Sequence, residues 1–190
     1  MDSVDRMPPL DAATMTGAQQ KAAQELASGP RGGVKGPFIA LLRSPELMDR
    51  LQKVGEYLRF RSSLQARINE FLMLVVSRQW TQQFEWVVHV PLALKAGLGL
   101  ETVESLAQGR RPAGMAKDEE IAYDFCDELF RTKGVSEASY RRAVDQFCEP
   151  GVIDMVGLVG YFTTVSMVMN VAHTPPPKDD SVTALRAFPL

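Results

Sequence analysis

Gln82-Gln83-Phe84-Glu85-Trp86-Val87-Val88-His89 decides both the shape of this chain and its chemistry. Glu85 and His89 are four residues apart, so a helix stacks them on one face about one turn, roughly 6 Å, apart. Phe84, Trp86, Val87, Val88 and Val90 surround the pair with bulk apolar groups. A helix is expected from about Thr81 to Ala96 and stops at Gly97, which suits the position just past a helix end. Pro91 lies inside it; the missing N–H and the ring pressed on the carbonyl of Val87 predict a kink.

Working upstream, Leu64–Arg78 lines up Leu64, Ile68, Phe71, Leu72, Val75 and Val76 as one apolar stripe, with Glu70 beside it. Packed antiparallel on the next helix, this segment brings Glu70 towards Glu85 and His89. Ser44-Pro45-Glu46 is a helix start, and Leu47, Leu51, Val54 and Leu58 follow it at helical spacing. Downstream come a helical turn at Glu101–Gln108, a Gly/Pro loop at Gly109–Gly114, and amphipathic helices over Lys117–Arg131 and Ser136–Phe147. Val152–Ala172 is long enough to cross a bilayer, which takes about 20 residues. Asp154, Gly157, Gly160, Thr163, Thr164, Ser166 and Asn170 dilute it and no cationic flank anchors it, so it reads as a central, buried helix. No long alternating strand occurs, and the fold class is all-α.

One domain over residues 1–190 accounts for the rest, with a wrapping N-terminal segment (1–43) and an extended C-terminal tail (174–190). A short helix is expected from about Thr16 to Ala27. The loop Ser28-Gly-Pro-Arg-Gly-Gly-Val-Lys-Gly-Pro37 has no strand before it and no Gly-Lys-Ser/Thr at its end, so it is read as a surface loop and not a phosphate cradle. Pro175-Pro176-Pro177 cannot continue a helix, and His173 before it reads as a cap-region residue.

The 45% hydrophobic share of 190 residues is enough for one sizeable core. A net charge of −2 with scattered basic residues speaks against nucleic-acid and anionic-membrane partners. Early acids and prolines in MDSVDRMPPL do not read as an export signal, so the expected compartment is the cytoplasm. Cys126 and Cys148 form no Cys-x-x-Cys or zinc spacing; both are expected to be buried hydrophobes in a reducing environment.

A carboxylate beside an imidazole places an acid/base group near neutral pH, which makes Glu70, Glu85 and His89 a candidate proton-transfer centre. Without a His-Glu-x-x-His motif the pair does not make a zinc site, and no metal is expected. No Gly-x-Ser-x-Gly motif is present, which argues against a serine hydrolase.

Arg67-Ile-Asn-Glu70, Phe84-Glu85-Trp86-x-x-His89, Ala93-x-x-x-Gly97-Leu98, the Gly151–Asn170 helix with its Val-Gly-Tyr-Phe core, Leu58–Ser63 and the loop Ser28–Phe38 together resemble the carboxymuconolactone decarboxylase family, which includes alkylhydroperoxidase D. The resemblance is to a longer bacterial branch and covers nearly the whole chain. Peroxidase members carry a glutamate followed by Cys-x-x-Cys-x-x-x-His. Aligned on the histidine, their two thiols fall on Gln82 and Glu85 and their glutamate on Glu70. A disulfide-cycling peroxidase needs one thiolate to attack and a second thiol to resolve, and neither replacement does either.

What the resemblance implies is an alkylhydroperoxidase D-like helical bundle, assembled as a homotrimer or homohexamer. It also implies cofactor-free lyase chemistry on a small cyclic carboxylated lactone from aromatic catabolism. Within that reading His89 is the acid/base and Glu85 and Glu70 orient it or relay its proton. Gln82 is assigned an amide hydrogen bond to a substrate oxygen and Trp86 an apolar wall; Arg67 is a candidate for the charge that meets an anionic substrate, with a surface salt bridge the favoured reading of it. Peroxidase activity and a non-catalytic, ligand-binding oligomer are the competing readings.

Overall fold

The computed structural model describes residues 4–186. Among them are eight α-helices, a 3-10 turn at Ala12–Thr14 and no strand, as the absence of alternation required. At the centre, α4 (Ala66–Gln79) and α5 (Gln83–Lys95) form a hairpin joined by three residues, a loop length that sets helices antiparallel. The Gln82 side chain accepts from the Phe84 N–H at 2.6 Å and starts α5. Helix α8 (Glu137–Ala172) packs along α4, and α7 (Lys117–Thr132) packs on both. The short α6 (Leu100–Ala107) also rests on α4.

Helix α4 is covered on all sides. The predicted stripe is buried, and Met73 and Leu74, off that stripe, are buried completely as well. Helix α5 runs through Pro91 as one helix, with the proline on its exposed side where a lost backbone bond is met by solvent.

The outer layer is α1 (Gly17–Ser28), α2 (Pro37–Leu41) and α3 (Pro45–Phe60). Thr16 caps α1 reciprocally with Gln19. Ala22, Leu26, Phe38, Leu41, Leu42 and Met48 form a second apolar cluster that fastens the N-terminal segment to the body. Helix α3 corrects the sequence reading: Leu47 and Val54 are 49% and 47% exposed, and the inward face is Met48, Gly55 and Leu58 with Leu51 half-buried. Ser44 makes no side-chain cap bond either.

The two segments expected at Ser136–Phe147 and Val152–Ala172 appear as one long helix with a break. Cys148 has φ 58° and ψ 170°, a costly geometry for a residue with a side chain, two positions before Pro150. Cys148 is exposed there, contrary to expectation, whereas Cys126 is fully buried. Helix α8 is long and apolar enough to cross a membrane, but 56% of its most apolar window is buried inside the fold, as befits a core helix.

The tail is extended and docks on its own chain. Gln83 and Leu185 exchange hydrogen bonds at 2.7 and 3.0 Å, the Trp86 indole N–H donates to the Thr183 carbonyl at 2.9 Å, and Leu185 is buried.

Candidate functional site

The α4–α5 hairpin puts Glu70 across from His89, and the four-residue spacing stacks Glu85 one turn from it. The His89 Nδ1 is 2.7 Å from a Glu70 oxygen, and Nε2 is 3.1 Å from a Glu85 oxygen. Both ring nitrogens therefore face carboxylates, an arrangement best satisfied by an imidazolium donating two N–H bonds. The Phe162 ring meets the imidazole edge-on, with centroids 5.4 Å apart.

His89 is 2% exposed and Glu85 5%. Burial alone would lower the His89 pKa; the hydrogen bonds and charges of Glu70 and Glu85 outweigh it and hold the imidazole above its usual value. The carboxylates approach opposite edges of the ring and do not converge on a point a cation could share. Among the described residues no cluster of His, Cys, Asp and Glu is arranged to hold a metal.

One side of this triad opens on a cavity of about 450 Å³. Glu85 and His89 form part of its wall, and Glu70 lies behind the ring. Phe38, Phe60, Phe84, Val88 and Phe162 supply apolar walls; Arg31, Lys35 and Arg59 supply positive charge. The space is the size of a small-molecule site with few, convergent polar groups. No thiol lines it. Burial also pushes the Cys126 thiol up to about 12, so it holds no thiolate near neutral pH.

The other three sequence candidates are placed elsewhere. Arg67 is engaged by Asp118 and Glu119 at the start of α7 and does not reach the cavity. Gln82 spends its amide on helix capping and on Asn170, 2.8 Å away. Trp86 faces the tail, at 1% exposure, rather than the cavity. The sequence reading missed Arg31, Arg59 and Tyr161. A trace of them was there: a glycine at position 55 inside a helix, and a phenol within the apolar run of α8.

Hairpin, flanking α7 and α8, and a wrapping N-terminal layer define an all-α alkylhydroperoxidase D-like fold. An uncharacterized peroxidase-related protein from Ralstonia eutropha JMP134 with the alkylhydroperoxidase AhpD core superposes with TM-score 0.73 at 14% identity, over 93% of each chain. An uncharacterized peroxidase-related protein from Silicibacter sp. TM1040 gives 0.71 at 17% identity over 90% of each chain. A protein of unknown function from Agrobacterium tumefaciens, named a candidate antioxidant defence protein AhpD, gives 0.64 at 15% identity, covering 73% of this chain and 96% of its own. The chain matches no protein-family model and no curated protein.

Proposed function

We propose that this protein is a cofactor-free lyase of the carboxymuconolactone decarboxylase type, acting on a small cyclic carboxylated lactone by proton transfer. The observation that supports it is the carboxylate–imidazolium–carboxylate chain ending on a cavity wall that has no thiol. Departure of carbon dioxide leaves the bonding electron pair on the ring carbon, from which it spreads into the lactone carbonyl as an enolate. A proton delivered to carbon completes the reaction. Glu85, facing the cavity, passes the proton to the substrate carbon; His89 supplies it and is reprotonated from water after each turnover; Glu70 positions the ring and balances its charge. The working unit in this reading is a homotrimer or homohexamer.

The test is a screen of carboxylated lactones, following carbon dioxide release. His89→Ala and Glu85→Gln are expected to lower turnover by about 10²–10⁴-fold, the range for a positioned acid/base. Turnover unchanged in His89→Ala removes His89 from the mechanism.

The peroxidase-related names of the fold neighbours support a second reading, a thiol-dependent peroxidase. Peroxide turnover abolished by changing Cys126 and Cys148 to Ser would establish it. Peroxide turnover that survives both changes would show peroxidation without thiols and displace the lyase reading.

A further inference from the structure

The cavity carries more positive charge than its own residues neutralise. Arg31 enters from the glycine-rich loop and Arg59 from the last turn of α3, and both line the wall beside Glu85 and His89. Among the described residues neither guanidinium has a carboxylate within 4 Å, and the Nε of each is buried without a hydrogen-bond partner. Arg31 lies 4.6 Å over the Phe38 ring and its Nη2 is 3.5 Å from the Tyr161 hydroxyl. Burial holds the Arg31 guanidinium below its ordinary pKa and the Arg59 charge pushes it lower; Tyr161 and the more distant Glu85 and Glu56 pull the other way without outweighing them. Two neighbouring guanidiniums that line one cavity with no carboxylate paired to either are matched to a planar anion.

Helix α3 is shaped around this pair. A Cβ at Gly55 would come within 2.3 Å of the Tyr161 ring carbon and hydroxyl and 2.6 Å of Arg31 Nη2. The helix thus keeps a poor helix former where Arg31 and Tyr161 need the room. Gly36, at φ 56° with Phe84 2.8 Å from where its Cβ would be, holds the loop against α5 in the same way.

We propose that Arg31 and Arg59, with Tyr161 beside them, form an anion subsite that clamps a carboxylate of the substrate, while the phenylalanine walls take its ring. The assignment as a substrate clamp rests on the lyase reading; anion binding by the pair does not, which lets the two fail separately.

Benzoate and benzamide, equal in shape and different in charge, are the probes. Titrated into the full chain at pH 7 and low salt, benzoate is expected to bind about tenfold or more tighter than benzamide. Arg31→Gln and Arg59→Gln are each expected to remove most of that preference, and His89→Gln to retain it. Equal binding of the two probes by the unaltered protein overturns the clamp without recourse to any variant. A preference that survives both arginine changes in folded protein, checked by far-ultraviolet circular dichroism, overturns it too. Loss of the preference on Arg31→Gln, alongside no turnover of any lactone, keeps the anion site and discards the lyase reading.

Discussion

His89 carries the strongest electrostatic statement in the molecule, because one imidazole is shared by two carboxylates in a dry place. Its folded pKa is raised above the ordinary value of 6.5. A raised folded pKa means the native state holds its proton more tightly than the unfolded chain. The stabilisation is therefore complete below about pH 6.5 and is lost as pH rises through the folded value. Glu70→Gln removes one of the two charges, after which burial, the largest opposing influence, draws the His89 pKa down. Nitrogen-15 titration of the ring should record that fall, and urea unfolding should show a loss of about 1–3 kcal/mol at pH 6 that shrinks at higher pH. A His89 titration unmoved by Glu70→Gln would contradict the geometry at Nδ1.

At the scale of elements, α3 shows how a helix gives up local preference for a site. Gly55→Ala would favour the isolated helix by about 1 kcal/mol. In the fold it drives a methyl into Tyr161 and Arg31, and overpacking of that kind costs about 1–3 kcal/mol. Net destabilisation in urea unfolding is the expected result, and the cost of Gly55→Ala should shrink when it is measured in a Tyr161→Ala background; stabilisation by Gly55→Ala would mean the approach is not tight. The same glycine explains what the sequence could and could not disclose. Helices α4, α5 and α7 were legible because apolar periodicity and end signals agree with how they pack, and the four-residue spacing fixed Glu85 beside His89. The inward face of α3 was misread because Leu47 and Val54 weigh more in a periodicity count than Gly55, whose role is to be small. Arg31 and Arg59 were illegible since their meaning lies in the carboxylate partner that neither has within ion-pair distance among the described residues, and a missing partner leaves no spacing in the chain. For Arg67 the ion pair was the favoured reading, but its partners were not legible: Asp118 and Glu119, which engage it, lie 51 and 52 residues away.

For the whole molecule, the outer face of α8 bears on the proposed oligomer. Ile153, Val156, Met167 and Val171 are 69%, 43%, 40% and 59% exposed, and with Gly160 and Thr164 between them they make a single stripe down the second half of the helix. A Cβ at Gly160 would meet nothing within 4 Å, so its small size gives no packing advantage inside one protomer. A second copy laid on this stripe would bury the apolar side chains and use the glycine for close approach of helices. Sedimentation equilibrium is then expected to give three or six times the 21.0 kDa protomer mass. Ile153→Asp with Val171→Asp should return it to one protomer, because a charge buried at an interface without a partner is strongly unfavourable, whereas on a free surface such changes cost about 0.5 kcal/mol or less. Unchanged thermal stability of the doubly substituted monomer is not expected, since it loses the partner that favours the folded state. A wild-type mass of one protomer would sink the oligomer, and an assembly indifferent to both aspartates would place its interface on another face.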